Sequence, residues 1–204
     1  LRSFKQKKAS DKTFIENEKI SETRISAEKL HFEFLFDKGV DFKRRVISLS
    51  GDVGRSMYNK VNAAMSELES AGRGSITLRI NSYGGSGYHG LAIVGRIKLS
   101  KCRIVTEGLG CIMSAATLIL ASGDFRRMSE HAWMMDHETG YEMDYDKHTT
   151  QKELVKNMEK GELEWAKWMA AYSKKSKKFW LDLKKDSYFT AAQCLKLGII
   201  DEVF

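Results

Sequence analysis

The chain has 204 residues, 42% of them hydrophobic and 30% charged, and a formal net charge of +7. That length suits one well-buried domain and is marginal for two, and the composition excludes a disordered or fibrous chain. No apolar run reaches the roughly 18 residues that a membrane span needs.

The first residues, LRSFKQKKASDK, are polar and lack the apolar centre of a secretory signal. A first residue of Leu rather than Met points to processing or trimming. Cys102, Cys111 and Cys194 have no framework or zinc spacing, so reduced thiols in a cytoplasmic protein are expected. Basic residues gather from Lys174 to Lys185, opposed only by Asp182. No zinc-finger or aromatic-rich RNA-binding segment accompanies them, so nucleic acid is not an expected partner.

Residues 1–30 are polar without sustained periodicity and read as a mobile arm; residues 31–204 form a single domain. Within it, His31–Phe36 reads as a strand, Asp37–Lys43 as a turn and Arg45–Leu49 as a second strand. Met57, Val61, Ala64, Met65 and Leu68 recur at helical spacing over Ser56–Ala71, and Gly72 and Gly74 end that helix. Strand Ser75–Ile80 runs into the glycine loop Ser82–Gly87, and a helix follows through Leu91–Ile97. Cys102–Glu107 is the next strand, then a tight glycine turn at Gly108 and Gly110, then a helix that begins near Ser114. This alternation predicts a parallel sheet with crossover helices.

Phe125–Met128 and Ala132–Asp136 read as short strands. From Asp144 to about Ser173 a stripe of Leu154, Met158, Gly161, Trp165, Trp168 and Tyr172 marks one face of a long helix. Its two Trp, with Met169, suggest burial against a partner subunit. A short helix Ala191–Leu197, a Gly198 cap and a terminal strand Ile199–Phe204 close the chain.

Ser114 interrupts the apolar run GLGCIMSAATLIL. On that motif alone it reads most simply as a helix N-cap. The other reading is a nucleophile, with unpaired N–H groups and the helix dipole beside it to stabilise an oxyanion. A serine nucleophile needs a base. His137, where an apolar strand ends, is the first candidate, while His31 and His148 fall in segments expected to be remote. The glycine loop fits neither a dinucleotide fingerprint nor a phosphate-binding P-loop. Its free N–H groups suit an oxyanion or an extended peptide, with His89 close by.

In order along the chain stand Arg45–Gly51 (RVISLSG), Ile80–Gly85 (INSYGG), Gly90–Ile93, Gly110–Ala116 (GCIMSAA), Met134–His137 and Gly198–Asp201. This series resembles the ClpP family, proteolytic subunits of the ATP-dependent Clp proteases within the crotonase-like superfamily, over about residues 45–204. The resemblance implies an α/β fold of repeated β-α units with a protruding long handle helix, about 144–173, that interlocks two heptameric rings. It implies a serine endopeptidase acting on unfolded polypeptides without metal or cofactor. Ser114 matches the nucleophile, His137 the base and Asp182 the triad aspartate, with Asp186 the runner-up. The N–H groups of Gly85 and Ala115 match the oxyanion hole. Substrate would lie beside Gly84, Ser86 and Gly87. With no Walker motif here, a separate AAA+ unfoldase would consume the ATP.

Two departures stand out. Tyr83 replaces the family's usual Pro before the paired glycines, and Glu138-Thr-Gly-Tyr-Glu follows the histidine in place of Gln-Pro and a glycine-rich turn. Such divergence suits a phage-type or specialised member. It also keeps a catalytically silent or partner-activated ring subunit as the alternative function. A lysine-based peptidase and an acyl-CoA enzyme of the crotonase fold are further rivals.

Overall fold

The structure is a computed structural model and describes residues 29–30, 33–138, 148–183 and 185–204. The arm assigned to residues 1–30 therefore lies almost wholly outside the described residues. Strands β1 (Val40–Asp41), β2 (Val46–Ser50), β3 (Ile76–Ser82), β4 (Ile104–Met113), β5 (Phe125–Met128) and β8 (Glu202–Val203) form a sheet in the order β1-β2-β3-β4-β5-β8. Pairings from β2 through β5 to β8 are parallel, as the strand–helix alternation requires. Strands β6 (Trp133–Asp136) and β7 (Ser187–Thr190) extend the sheet at one end, with β6 parallel to β4 and antiparallel to β7.

Helix α1 (Arg55–Ser70) buries Met57, Val61, Ala64, Met65 and Leu68, the face that the periodicity predicts. Helix α2 (Gly87–Leu99) packs between α1 and α3 (Ala115–Ala121), whose seven residues are all buried. Alternation along β3 sends Ile76, Leu78 and Ile80 into the core and Arg79 and Asn81 to the other face. Each such fully buried apolar side chain contributes roughly 1.5–3 kcal/mol.

Across that outer face Arg79, Glu107 and Arg127 stand in register on β3, β4 and β5. Glu107 accepts from Arg79 Nε at 2.8 Å and from Arg127 Nε at 2.9 Å. Burial works to raise its carboxyl, but the two guanidinium groups outweigh it and hold it below the usual carboxylate range.

Three expectations need correction. Phe34–Lys38 is a wide helical turn ended by Gly39 at φ 65°, not part of a strand. Phe34 packs edge-on to Phe42, so continuous apolarity misled the period. Gly108 and Gly110 form no turn. They lie inside β4, where Gly108 leaves room for Ile112 and Met128 and Gly110, at φ 68°, lets the backbone pass Asn81. Finally, the second half of the apolar stripe of α4 (His148–Ala171) is spent within the chain, while Leu154 and Met158 in its first half do not join that core. Met169 and Ala166 are fully buried, and Trp165, Trp168 and Tyr172 pack on the same core. The predicted start of that helix at Asp144 lies outside the described residues.

Candidate active site

Strand β4 delivers Ser114. Its first half pairs with β5 and its last three residues pair with β6, Met113 opposite Met135. Ser114 N–H then donates to Met135 O at 2.9 Å, so the serine is bonded to the strand that ends in His137. On its other edge β4 bulges against β3, since Ile80 pairs with Gly108 and Ser82 with Ile112, so β4 carries the extra residues. Asn81 Oδ1 fills the bulge by accepting from Cys111 N–H at 3.1 Å.

Ser114 takes φ 52° and ψ −126°, a conformation that L residues rarely adopt and that costs about 1–3 kcal/mol. It occupies the N-cap position of α3 yet makes no capping bond; Thr117 N–H bonds to its carbonyl instead. The simple cap reading therefore fails. A sharp strand-to-helix turn that presents a free serine hydroxyl is the geometry of a nucleophile elbow.

The glycine loop fits against this turn. A Cβ on Gly84, at φ 95°, would lie 2.6 Å from both Met113 O and Ser114 Cβ. Only glycine permits so close an approach in that conformation. Val53, after β2, bridges the loop in parallel register with Gly85. Its N–H bonds Gly84 O at 2.7 Å and its carbonyl accepts from Ser86 N–H at 2.8 Å. Because successive peptide groups point to opposite edges, Gly85 is left with its own N–H and C=O facing away from Val53. Ser82 Oγ staples the loop, donating to Gly51 O at 2.6 Å and accepting from Gly84 N–H at 3.1 Å. Ala115 is the first residue of α3, where N–H groups have no intrahelical partner. Ser86 caps α2 by accepting from His89 N–H, and Gly87 is open.

His137 follows β6 and is half-buried, in a small open cavity with Trp165 and Glu162 of α4 on one side. Leu181, the last residue of α5 (Lys177–Leu181), and Leu183 line the other side. Asp182 stands between these two, but its carboxylate turns outward to Lys178, whose Nζ donates at 2.8 Å. The last β6–β7 pair is Asp136 with Ser187, so His137 and Asp186 each stand one step past the ladder. The structure thus brings Ser114, Gly84, Gly85 and Ala115 together, sets His137 at the end of the adjoining strand, and holds Asp182 on the far side of the His137 cavity.

Sequence reasoning missed Val53, Asn81 and Ser82, which shape the loop, and Asp136, whose carboxyl burial pushes up to about 6 against the opposing hydrogen bond from Trp165 and the nearby His137. A carboxylate at the end of an apolar strand was the available signal for Asp136. Among the described residues no three His, Cys, Asp or Glu side chains converge to hold a metal ion. No described helix is long and apolar enough to cross a membrane.

A parallel sheet with crossover helices and a strained serine at a strand–helix junction define an α/β protein with a nucleophile-elbow geometry. A family model described as Clp protease matches residues 38–204. The chain is 32% identical over 170 residues to the ATP-dependent Clp protease proteolytic subunit of Streptococcus mutans, covering 79% of this chain and 85% of that protein. It is 30% identical over 170 residues to the ATP-dependent Clp protease proteolytic subunit 2 of Corynebacterium efficiens, covering 79% and 82%. The chain belongs to the Clp protease family, and with it to the serine peptidases.

Proposed function

We propose that this chain hydrolyses unfolded polypeptides inside a ring-shaped, stacked oligomer of its own copies, fed by a separate ATP-dependent unfoldase and working in the cytoplasm. The observation that carries the chemistry is Ser114: a positive-φ serine with no capping bond, pressed against Gly84 and bonded to the strand of His137.

His137 takes the Ser114 proton as Oγ attacks a peptide carbonyl. The N–H groups of Gly85 and Ala115 hold the tetrahedral oxyanion, the placement that contributes most when donors are fixed beforehand. His137 then protonates the leaving amine, and water releases the acyl-enzyme by the same route reversed. Substrate lies extended along Gly84, Ser86 and Gly87 by strand addition, using the edge that Val53 leaves open. Asp182 orients the imidazole once it turns from Lys178 toward the cavity. Asp186, one step past the β6–β7 ladder, is the alternative for that role.

The outward Asp182 also favours a second reading, a ring subunit that stays silent until a partner aligns it. Labelling of the purified protein by a fluorophosphonate, with particle size by light scattering, separates the two. Labelling of a many-subunit particle that falls at least about 10³-fold in Ser114→Ala and His137→Ala supports the peptidase. A well-folded ring that never labels supports the silent subunit.

A further inference from the structure

Asp136 is a buried carboxylate beside His137 that the proposed triad leaves unused. It is 4% exposed, at the last position of β6. Its Oδ1 accepts from Trp165 Nε1 of α4 at 3.2 Å, and the neighbouring main-chain N–H of His137 favours its charged form. That N–H lies just past the β6–β7 ladder.

A carboxylate in this place is a poor choice for stability alone. The Trp165 donor is neutral, and burial of the charge is costly. Among the described residues the titratable groups that line the cavity are His137 and Glu138 after β6 and Glu162 on α4, and Trp180, Leu181 and Leu183 line it from α5 and the turn that follows. An apolar side chain would fill the same position at lower cost.

We propose that Asp136 is a positioning residue: it ties the main chain of His137 to Trp165, so that the imidazole's place opposite Ser114 follows the seat of α4. This rests on the serine peptidase reading above. Ser114 N–H bonded to Met135 O fixes the strand before this point, and Asp136 fixes the first residue beyond it. Only the ionised acid faces both N–H groups without presenting a proton of its own. Its carboxyl, raised to about 6 by burial, places that change inside an accessible pH range.

The test uses the full chain and the rate of Ser114 labelling by a fluorophosphonate between pH 5 and 8, with melting temperature and particle size. Asp136→Asn and Trp165→Phe are each expected to slow labelling about tenfold at pH 8, and the double variant to be no slower than the slower single. Asp136→Asn is also expected to lose one ionisation from the pH profile while melting no lower than the unmutated chain at that pH, a pattern that simple loss of structure does not give. Unchanged labelling in Asp136→Asn, multiplying losses in the double variant, or an unchanged profile would overturn the proposal while leaving the peptidase standing. An unmutated chain that never labels would remove both.

Discussion

The two halves of the site are held in different ways. Ser114, Gly85 and Ala115 sit on tightly constrained backbone. They are bracketed by Gly84, bridged through Val53, bonded to β6 and followed by a helix buried along its whole length. His137 and Asp186 stand where the β6–β7 ladder ends, and Asp182 where α5 ends. The imidazole follows the last residue of β6, Asp182 has 61% of its side chain exposed, and α5 is five residues long. A strained backbone persists only where its surroundings overdetermine it. A base and its orienting acid are instead set by elements that pack from outside the sheet, and so are open to control by whatever seats those elements.

The largest break in that contrast would come from Gly84→Ala. The added Cβ meets Met113 O and Ser114 Cβ at 2.6 Å with φ at 95°, which should cost about 2–5 kcal/mol. Because misplacement of a reacting group by about 1 Å loses roughly 10²-fold, probe labelling should fall at least that far in any fraction that stays folded. Melting temperature and labelling on the same sample check both.

On the other half, Asp136→Asn should stabilise. Burial raises the folded-state carboxyl from 3.8 to about 6, so the native chain holds this proton more tightly than the unfolded one. Its contribution is full below about pH 4 and is lost as pH rises through about 6. The difference in unfolding free energy between Asp136→Asn and the unmutated chain should therefore grow between pH 4 and 6, level off, and amount to about 3 kcal/mol. Denaturant titrations at four pH values measure it. Taking the difference cancels Glu69, Glu107 and Asp201, whose carboxyls arginines hold low and whose contributions vanish in acid instead.

The smallest effect belongs to Lys178→Ala. An exposed pair four residues apart on a helix stabilises by about 0.3–0.5 kcal/mol, so the melting temperature should hardly move. Labelling should rise a few-fold if Asp182 must leave Lys178 to orient His137. It should stay unchanged if Asp186 holds that role, and Asp186→Asn should then lose what Asp182→Asn keeps.

The same contrast decides what was legible in the sequence. Local patterns write themselves plainly: the α1 face, the alternation of β3, the Gly198 cap at φ 74° and the parallel order all follow from spacing. The glycines of β4 were misread because their purpose is long-range. Gly108 makes room for Met128 and Gly110 for Asn81, contacts that no local period encodes. The stripe on α4 carries the same lesson, since an amphipathic face does not reveal whether its own core or another subunit will cover it. Asp136 was passed over because its meaning depends on Trp165, 29 residues away.

Strand β4 joins the two halves by serving two neighbours on one edge, β5 for its first residues and β6 for its last. In the language of native-state hydrogen exchange, this makes β6 and β7 a separable opening unit. They border the main sheet only through the tip of β4, while β2 to β5 share longer ladders. Such a unit can open at less than the global free energy. Amides of Ile76–Ile80 would then outlast those of Trp133–Asp136, and each opening would withdraw His137 and release the Ser114 N–H from Met135 O together.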